Sequence, residues 1–157
     1  MHVETQQRTL ALVDDALRSA QQPEVAMERV VEILEREMPH YTWVGIYLLE
    51  GDELVLGPFV GKPSPHTRIP IGRGICGAAV QERQTIVVDD VNADARYLAC
   101  SLETKSEIVV PIMNGTRVLG EIDIDSDQPA AFGPADTALL ESVASLLAPA
   151  LDRRHNR

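Results

Sequence analysis

The sequence predicts an α+β fold in which one antiparallel sheet is covered by helices on one face and carries a ligand pocket on the other. Strand-like segments follow one another mainly through short turns, which is typical of antiparallel pairing, because parallel strands need long crossovers. Segments with helical periodicity lie at both ends of the chain, where they can cover one sheet face. The 157 residues are 45% hydrophobic and 24% charged, as in globular proteins, and we expect one domain over residues 1–157.

Helices are predicted where apolar residues recur every three or four positions. The first spans residues 5 to about 21. The second spans residues 23–38, because Pro23 suits a first helical turn and Pro39 follows the stop. A short helix is predicted over about 76–82, and a closing helix over 134–151.

Strands are predicted from runs of β-branched and aromatic residues bounded by turn residues. The clearest pair flanks Asn114-Gly115, a dipeptide that strongly signals a tight hairpin. The remaining strands are predicted at 42–49, 53–59, 68–71 and 85–88. Prolines and a glycine make 61–66 a loop, and 89–106 is an irregular acidic segment.

The strand after the hairpin alternates between apolar and acidic side chains, which point to opposite faces. The first face consists of Val118, Gly120, Ile122 and Ile124. The second consists of Leu119, Glu121, Asp123 and Asp125, and Glu107 on the partner strand adds a fourth carboxyl. Because like charges repel, this face is either exposed to water or binds a cationic group. The pattern alone leaves both alternatives open.

Charge and hydropathy exclude several function classes. The net charge of −10 argues against nucleic acid and anionic membranes as partners, because both select basic surfaces. The chain does not start with a basic segment followed by an apolar run, so no signal peptide is predicted. No apolar stretch approaches the ~20 residues that span a bilayer. We therefore expect a cytoplasmic protein.

The two cysteines, Cys76 and Cys100, do not make the framework of a secreted disulfide protein, so each is either inert or redox-active. Cys76 lies near the expected amino end of a short helix, where the dipole favours a thiolate, but its apolar neighbours also suit a buried thiol. Cys100 lies in a loop, where functional residues concentrate. The residues alone do not decide between these roles.

Other motifs predict neither a metal nor a cofactor. The glycine-rich segment 72–77 lacks the ending of a P-loop and the spacing of a dinucleotide fingerprint, so packing explains it better. The four histidines are scattered, and no pair has the spacing of a zinc site. No Gly-x-Ser-x-Gly elbow of a serine hydrolase is present.

Trp43 and Tyr47 share one face of the first strand. Core packing explains such a pair, but beside an acidic strand it also suits a pocket for a small zwitterion. Carboxylates would hold the ammonium group, and the rings would hold an apolar or partly cationic side chain.

A family resemblance rests on seven segments in order along the chain. They include Arg68-Ile-Pro-Ile-Gly-Arg-Gly-Ile-Cys76-Gly and Leu119-Gly-Glu-Ile-Asp123-Ile-Asp125-Ser126, with 43–49, 54–59, 90–91, 99–100 and 106–111. Together they resemble the GAF-domain proteins and, within them, the free methionine-(R)-sulfoxide reductases. Several motifs in order are far more specific than any one alone. The resemblance covers nearly the whole chain and implies a six-stranded antiparallel sheet, flanking helices and a deep pocket.

The resemblance also implies a role for each matching residue. Cys100 would attack the sulfoxide of free methionine sulfoxide, and a thioredoxin-like reductant would restore the thiol. Glu107, Asp123 and Asp125 would hold the ammonium of the free amino acid or help protonate the sulfoxide oxygen. The aromatic pair of the first strand would line the methyl-sulfur end.

One loop departs from the family pattern. The family often has a recycling cysteine two residues before the arginine that is Arg68 here, and this chain has His66 at that position. The residue after the reactive cysteine is commonly acidic, and here it is Ser101. Three interpretations stay open: Cys76 is the resolving thiol, an external thiol resolves, or the chain has lost turnover and is a GAF module that senses a small molecule.

Assembly is predicted from the terminal helices. One sheet face is not expected to cover the apolar stripes of three long helices, so some of this surface should be exposed and contact a second copy. The GAF resemblance also implies a helix-mediated homodimer. The expected patch consists of Leu10, Val13, Leu17, Leu140 and Leu147.

Overall fold

The computed structural model describes residues 3–98 and 103–155. Its strands are β1 (Trp43–Glu50), β2 (Glu53–Val60), β3 (Arg68–Pro70), β4 (Ile86–Val88), β5 (Ser106–Asn114) and β6 (Arg117–Ser126). They form one sheet in the order β3-β2-β1-β6-β5-β4, and every neighbouring pair is antiparallel. The predicted α+β fold with an antiparallel sheet of about six strands is confirmed.

The helices are α1 (Val3–Ser19), α2 (Pro23–Glu37), α3 (Gly74–Glu82) and α4 (Pro134–His155), with a 3₁₀ turn at Val91–Ala93. α2 and α4 pack on one sheet face, and α1 packs on both of these helices. α3 lies on the opposite face, against β3, β5 and β6. None of the helices in the described ranges is both long and apolar enough to cross a membrane.

Two apolar clusters lie on opposite faces of the sheet, and β1 contributes to both. Val44, Ile46 and Leu48 pack into the larger cluster with α2 and α4. Trp43 and Tyr47 pack into the smaller cluster, which α3 covers. The shared face predicted for Trp43 and Tyr47 is therefore confirmed, and it turns the aromatic pair away from the main core.

The alternation predicted for β6 is wrong at its start. Gly120 pairs with Ile112 and Val118 pairs with Met113, so Leu119 is the extra residue of a bulge. An extra residue inverts the alternation of a strand. Leu119 consequently packs into the helix-side cluster and Val118 into the α3-side cluster, the reverse of the prediction.

The predicted exposed patch on the terminal helices is also wrong. Val13, Leu140 and Leu147 are fully buried, and Leu10 and Leu17 are half-buried against the same cluster. The physical reason is that α1 does not compete for the sheet. It forms a second layer over α2 and α4, so the stripes cover one another.

The start of α4 is tied to the segment before β1 by a buried carboxyl. His40 Nε2 and Tyr41 Oη donate to Asp136 Oδ1 at 2.8 and 2.7 Å. The Gly133 backbone N–H donates to Asp136 Oδ2 at 3.0 Å, so the acid also satisfies a free N–H at the helix start. This contact fixes α4 against the sheet.

Candidate active site

The four carboxyls on the α3 side of the sheet are buried rather than exposed to water. Glu121 is 0% exposed, Asp123 3%, and Glu107 and Asp125 are each 5% exposed. Of the two alternatives that the sequence left open, the wet outer face is therefore excluded. A buried carboxylate needs a partner, because removing a charge from water is costly. This acid cluster (Glu107, Glu121, Asp123 and Asp125) is the centre of the candidate site.

Strand register places the acids in a row beside the aromatic pair. Along β6 and β1, Asp125 is opposite Trp43, Asp123 is opposite Gly45, and Glu121 is opposite Tyr47. Residues directly opposite on antiparallel strands have Cβ atoms about 5 Å apart. The aromatic wall and the acid row are therefore neighbours by backbone pairing alone.

Glu107 joins the cluster from β5, directly opposite Asp125. Burial, the charges of Asp123 and Asp125, and hydrogen bonds to both raise the pKa of Glu107 well above its ordinary value. Burial is also the main cause that raises the pKa of Asp123 and of Asp125, although hydrogen bonds with Glu107 act in the opposite direction on both. These acids can therefore hold protons where ordinary carboxyls have lost them.

Cys76 lies against this cluster. It is 6% exposed, and its Sγ donates to Asp123 Oδ2 at 3.3 Å. Burial, followed by the charges of Asp123, Glu121 and Glu107, raises the pKa of the thiol well above its ordinary value. Of the two alternatives that the sequence left open for Cys76, the structure therefore favours the buried thiol: α3 starts at Gly74, two residues earlier, but burial and the acids outweigh the helix dipole.

The same groups are compact enough to hold a cation. One ligand atom each from Cys76, Glu107 and Asp123 lie within 4.8 Å of one another, and all three residues are buried. Thiolate and carboxylate are ligands that divalent zinc accepts. The sequence predicted no metal because these residues lie far apart in the chain and have no motif spacing.

The indole of Trp43 forms a wall beside the acids. It lies over Gly45, where an added Cβ would come within 2.3 Å of the ring. Trp43 Nε1 donates to the Lys62 carbonyl oxygen at 2.9 Å, and the ring stacks on Phe59 with centroids 5.7 Å apart. These contacts together fix the face of the indole, its edge and its N–H donor.

Tyr47 is held by the loop that departs from the family pattern. Its hydroxyl donates to the His66 carbonyl oxygen at 2.7 Å. Since this contact uses the backbone, it does not depend on the residue type at position 66. The histidine therefore occupies the loop without disturbing the aromatic wall.

Two cavities open beside these groups. The acid cavity, of about 20 Å³, is lined by Tyr47, His66, Ile69, Gly74, Ile75, Cys76, Leu98, Glu107 and Asp123. The indole cavity, of about 360 Å³, is lined by Thr42, Trp43, Gly61, Lys62, Pro63, Ser64, Glu103, Thr104, Asp125 and Asp127. The second volume is within the range of small-molecule sites. A larger open groove of about 590 Å³ beside β4 and α4 contains none of the clustered acids and is not the candidate site.

Cys100 and Ser101 lie outside the described residues. The described neighbours on either side belong to the site: Leu98 lines the acid cavity and Glu103 lines the indole cavity. The structure therefore brings Trp43, Tyr47, Cys76 and three predicted acids together, while the predicted nucleophile stays a prediction.

Sequence reasoning missed three residues of the site. Glu121 was recognised as part of the acidic strand face but not as a site residue, although strand alternation places it with Asp123. Lys62 and Glu103 were missed because charged loop residues are usually solvated, and no local pattern indicates which ones line a cavity.

Comparisons with known proteins give consistent results. The GAF domain model matches residues 22–151. The free methionine-R-sulfoxide reductase of Escherichia coli is 39% identical over 73% of this chain and 69% of that protein. The structure of the Neisseria meningitidis free methionine-R-sulfoxide reductase in complex with its substrate matches with a TM-score of 0.92 and 32% identity, over 99% of this chain and 95% of that chain. The type II enzyme of Thermoplasma acidophilum matches with a TM-score of 0.80 and 40% identity, over 90% of this chain and 96% of that chain.

Proposed function

Because the chain belongs to the GAF-domain family, we propose that it is an enzyme that reduces free L-methionine-(R)-sulfoxide to methionine, with a thiol as reductant. The observation that carries this proposal is the acid cluster buried beside an indole wall. Such a pocket suits a small ligand with an ammonium group and a polarisable side chain. The similarity to the reductases of Escherichia coli and Neisseria meningitidis supports the same reaction.

In this proposal two tasks are shared among the acids. An ionised carboxylate binds the ammonium of the free amino acid, and a carboxyl that has kept its proton donates to the sulfoxide oxygen. Glu107 and Asp125 are directly opposite one another, so one can hold a proton while the other is ionised. Asp123 supports either task, and Trp43 and Tyr47 line the methyl-sulfur end.

The proposed nucleophile is Cys100. Its thiolate attacks the sulfoxide sulfur, and a proton from the acid cluster goes to the oxygen. The protonated oxygen then passes from the substrate sulfur to Cys100 Sγ, the S–O bond of the sulfoxide and the transient S–S bond break, and methionine leaves while Cys100 is oxidised to a sulfenic acid. A second thiol then displaces the hydroxyl group, which leaves as water, and the resulting disulfide is reduced by thioredoxin-like exchange.

We assign the resolving step to Cys76, which lines the acid cavity. A thiol attacks as its thiolate, and the raised pKa of Cys76 makes that form scarce at neutral pH. Asp123, which already accepts from Sγ, is placed to take the proton as the thiol reacts. An external thiol is the competing route, because His66 replaces the recycling cysteine.

The test is a single turnover without added reductant, followed by mass spectrometry of the protein. The unaltered chain should form stoichiometric methionine and a Cys76–Cys100 disulfide. Cys76→Ser should still form methionine but leave a sulfenic acid that dimedone traps. Cys100→Ser should form none, and methionine produced by this variant would exclude Cys100 as the nucleophile.

The alternative function is a GAF module that binds a small molecule without turnover. The observation that favours it is His66 in place of a recycling thiol. Binding of methionine sulfoxide by the unaltered chain, with no methionine formed in the single-turnover experiment, would support the sensor and reject the reductase.

A further inference from the structure

We infer that Lys62 binds the α-carboxylate of the amino acid, so that the indole cavity recognises both charged ends of a free zwitterion. This inference rests on the proposed function and names a binding residue that the acid cluster does not supply. Lys62 and Asp125 both line the indole cavity. An amino acid that fills it therefore meets a cation and an anion within one enclosed space.

The backbone of Lys62 is fixed against the wall of this cavity. Its carbonyl oxygen accepts from Trp43 Nε1 at 2.9 Å. The preceding Gly61 has φ 130°, and a Cβ there would come within 2.6 Å of the indole. The chain can approach the ring this closely only because position 61 is a glycine. The backbone of Lys62 is therefore held at the wall of the indole cavity, although the end of its side chain is exposed.

The charges around the cavity require such a cation. Glu103, Asp125 and Asp127 line it, and Lys62 is the one basic side chain among its described lining residues. A ligand carboxylate that enters an acid-lined cavity is repelled unless a cation accompanies it. Lys62 supplies that charge in a chain whose net charge is −10.

The present partner of Lys62 is easily exchanged. Lys62 Nζ lies 3.0 Å from Glu103 Oε1, and the two side chains are 72% and 63% exposed. Exposed ion pairs of this kind stabilise a protein only weakly, because water screens both charges. A ligand carboxylate can thus replace the Glu103 carboxylate at little cost.

At the other end, Asp125 has capacity for the ammonium. The residue is 5% exposed, and its Oδ1 has no hydrogen-bond partner in the part of the chain that the structure describes. A buried acceptor without a partner is costly, and an ammonium donor removes that cost. The cavity therefore offers one open acceptor and one exchangeable cation to the two ends of an amino acid.

The test compares two ligands by calorimetry in a Cys100→Ser background, where binding is not followed by reduction. The ligands are L-methionine-(R)-sulfoxide and its α-carboxamide, which differ only in the charge that Lys62 is inferred to bind. With Lys62 intact, the acid should bind about tenfold more tightly than the amide, the scale of one charge-assisted hydrogen bond. In Lys62→Met this preference should disappear or reverse, because the other charged residues in the described lining of the cavity are acidic.

Two further variants separate charge from shape. Lys62→Arg should keep the preference for the acid. Glu103→Gln should bind the acid about twofold more tightly and the amide unchanged, because the lysine loses its competing partner. If Lys62→Met keeps the preference for the acid, the inference is wrong and the proposed function stands. If neither ligand binds with Lys62 intact, the proposed function fails and this inference fails with it.

Discussion

The position of the Trp43 indole depends on two neighbouring residues that have no side chain. The indole lies over Gly45 and against Gly61, and at both positions a Cβ would come closer than 3 Å to the ring. Opposite Gly45 on the neighbouring strand is Asp123, so the indole that fills the space over this glycine lies beside an acid. The two glycines, together with the hydrogen bond from Trp43 Nε1 to the Lys62 carbonyl oxygen, let the indole lie this close to the backbone beside the acids.

Gly61→Ala should therefore damage the ligand site more than the fold. The added methyl group meets Trp43, and alanine disfavours φ 130°. We expect tryptophan fluorescence to change and ligand affinity to fall at least tenfold, with a loss in unfolding free energy of about 1–2 kcal/mol.

Gly51→Ala is the matched control for this prediction. Gly51 also has a positive φ, of 67°, but no atom of the described ranges 3–98 and 103–155 lies within 4 Å of its added Cβ. The control should lose about 1 kcal/mol of stability and leave affinity unchanged. Equal effects of the two substitutions on affinity would show that contact with the indole is not what matters at Gly61.

At the scale of elements, the sequence predicts what local signals specify. The Asn114-Gly115 pair identified the β5–β6 hairpin, and alternation from Gly120 onwards placed Asp123 and Asp125 on the face opposite the helix-side core. The bulge at Leu119 was not predictable, because it depends on how two strands pair rather than on either strand alone. The exposed patch was mispredicted for a related reason: periodicity shows that a helix has an apolar stripe but not which surface covers it.

The contact that holds α4 is the clearest case of a feature that the local sequence does not predict. The local sequence indicates only that Asp136 is an acid in the first turn of α4. Its partners His40 and Tyr41 are more than 90 residues away in the chain. Separations of 47 and 41 residues likewise hid the approach of Cys76 to Asp123 and of Lys62 to Glu103.

Asp136→Asn should destabilise the fold by about 2–3 kcal/mol, because it weakens charge-assisted hydrogen bonds and sets an amide N–H₂ against the Gly133 N–H. Burial would raise the pKa of Asp136, but hydrogen bonds from His40, Gly133 and Tyr41 lower it below 3.8. A lowered folded-state pKa stabilises above the unfolded value and is lost as pH falls through the lowered one.

Urea denaturation at several pH values tests this prediction. The gap in unfolding free energy between the unaltered chain and Asp136→Asn should be full near pH 6 and shrink below about pH 4. Asp14→Asn is the control, since it removes an exposed helical ion pair worth about 0.3–0.5 kcal/mol. A gap no larger than that of the control would mean that the buried contact does not hold α4 in solution.

At the scale of the whole molecule, the helices form two layers, and their apolar stripes cover one another. The homodimer stays a prediction, but the five residues expected to mediate it are used within the chain. Sedimentation at tens of micromolar tests it, with twice the mass of the chain expected.

The larger consequence for the whole molecule is electrostatic: a chain of net charge −10 buries four carboxyls in one cluster.

Glu121 makes this consequence measurable. Both of its carboxyl oxygens lack a hydrogen-bond partner among residues 3–98 and 103–155. Burial, and then the charge of Asp123, raises the pKa of Glu121 well above its ordinary value of 4.5. A raised folded-state pKa gives stability that is full below the unfolded value and lost as pH rises towards the raised one.

Glu121→Gln removes this titration while keeping the shape of the side chain. Its unfolding free energy should improve relative to the unaltered chain as pH rises from 5 to 8, by on the order of 1 kcal/mol or more. Asp123, Glu107 and Cys76 still titrate in both proteins, so only the difference between them reports on Glu121. Glu28→Gln, on the exposed side of α2, is the matched control for replacing a glutamate by glutamine. If the Glu121→Gln difference changes with pH no more than the difference for Glu28→Gln, Glu121 does not hold a proton in the folded protein, and the protons of the acid cluster are held by the other three acids.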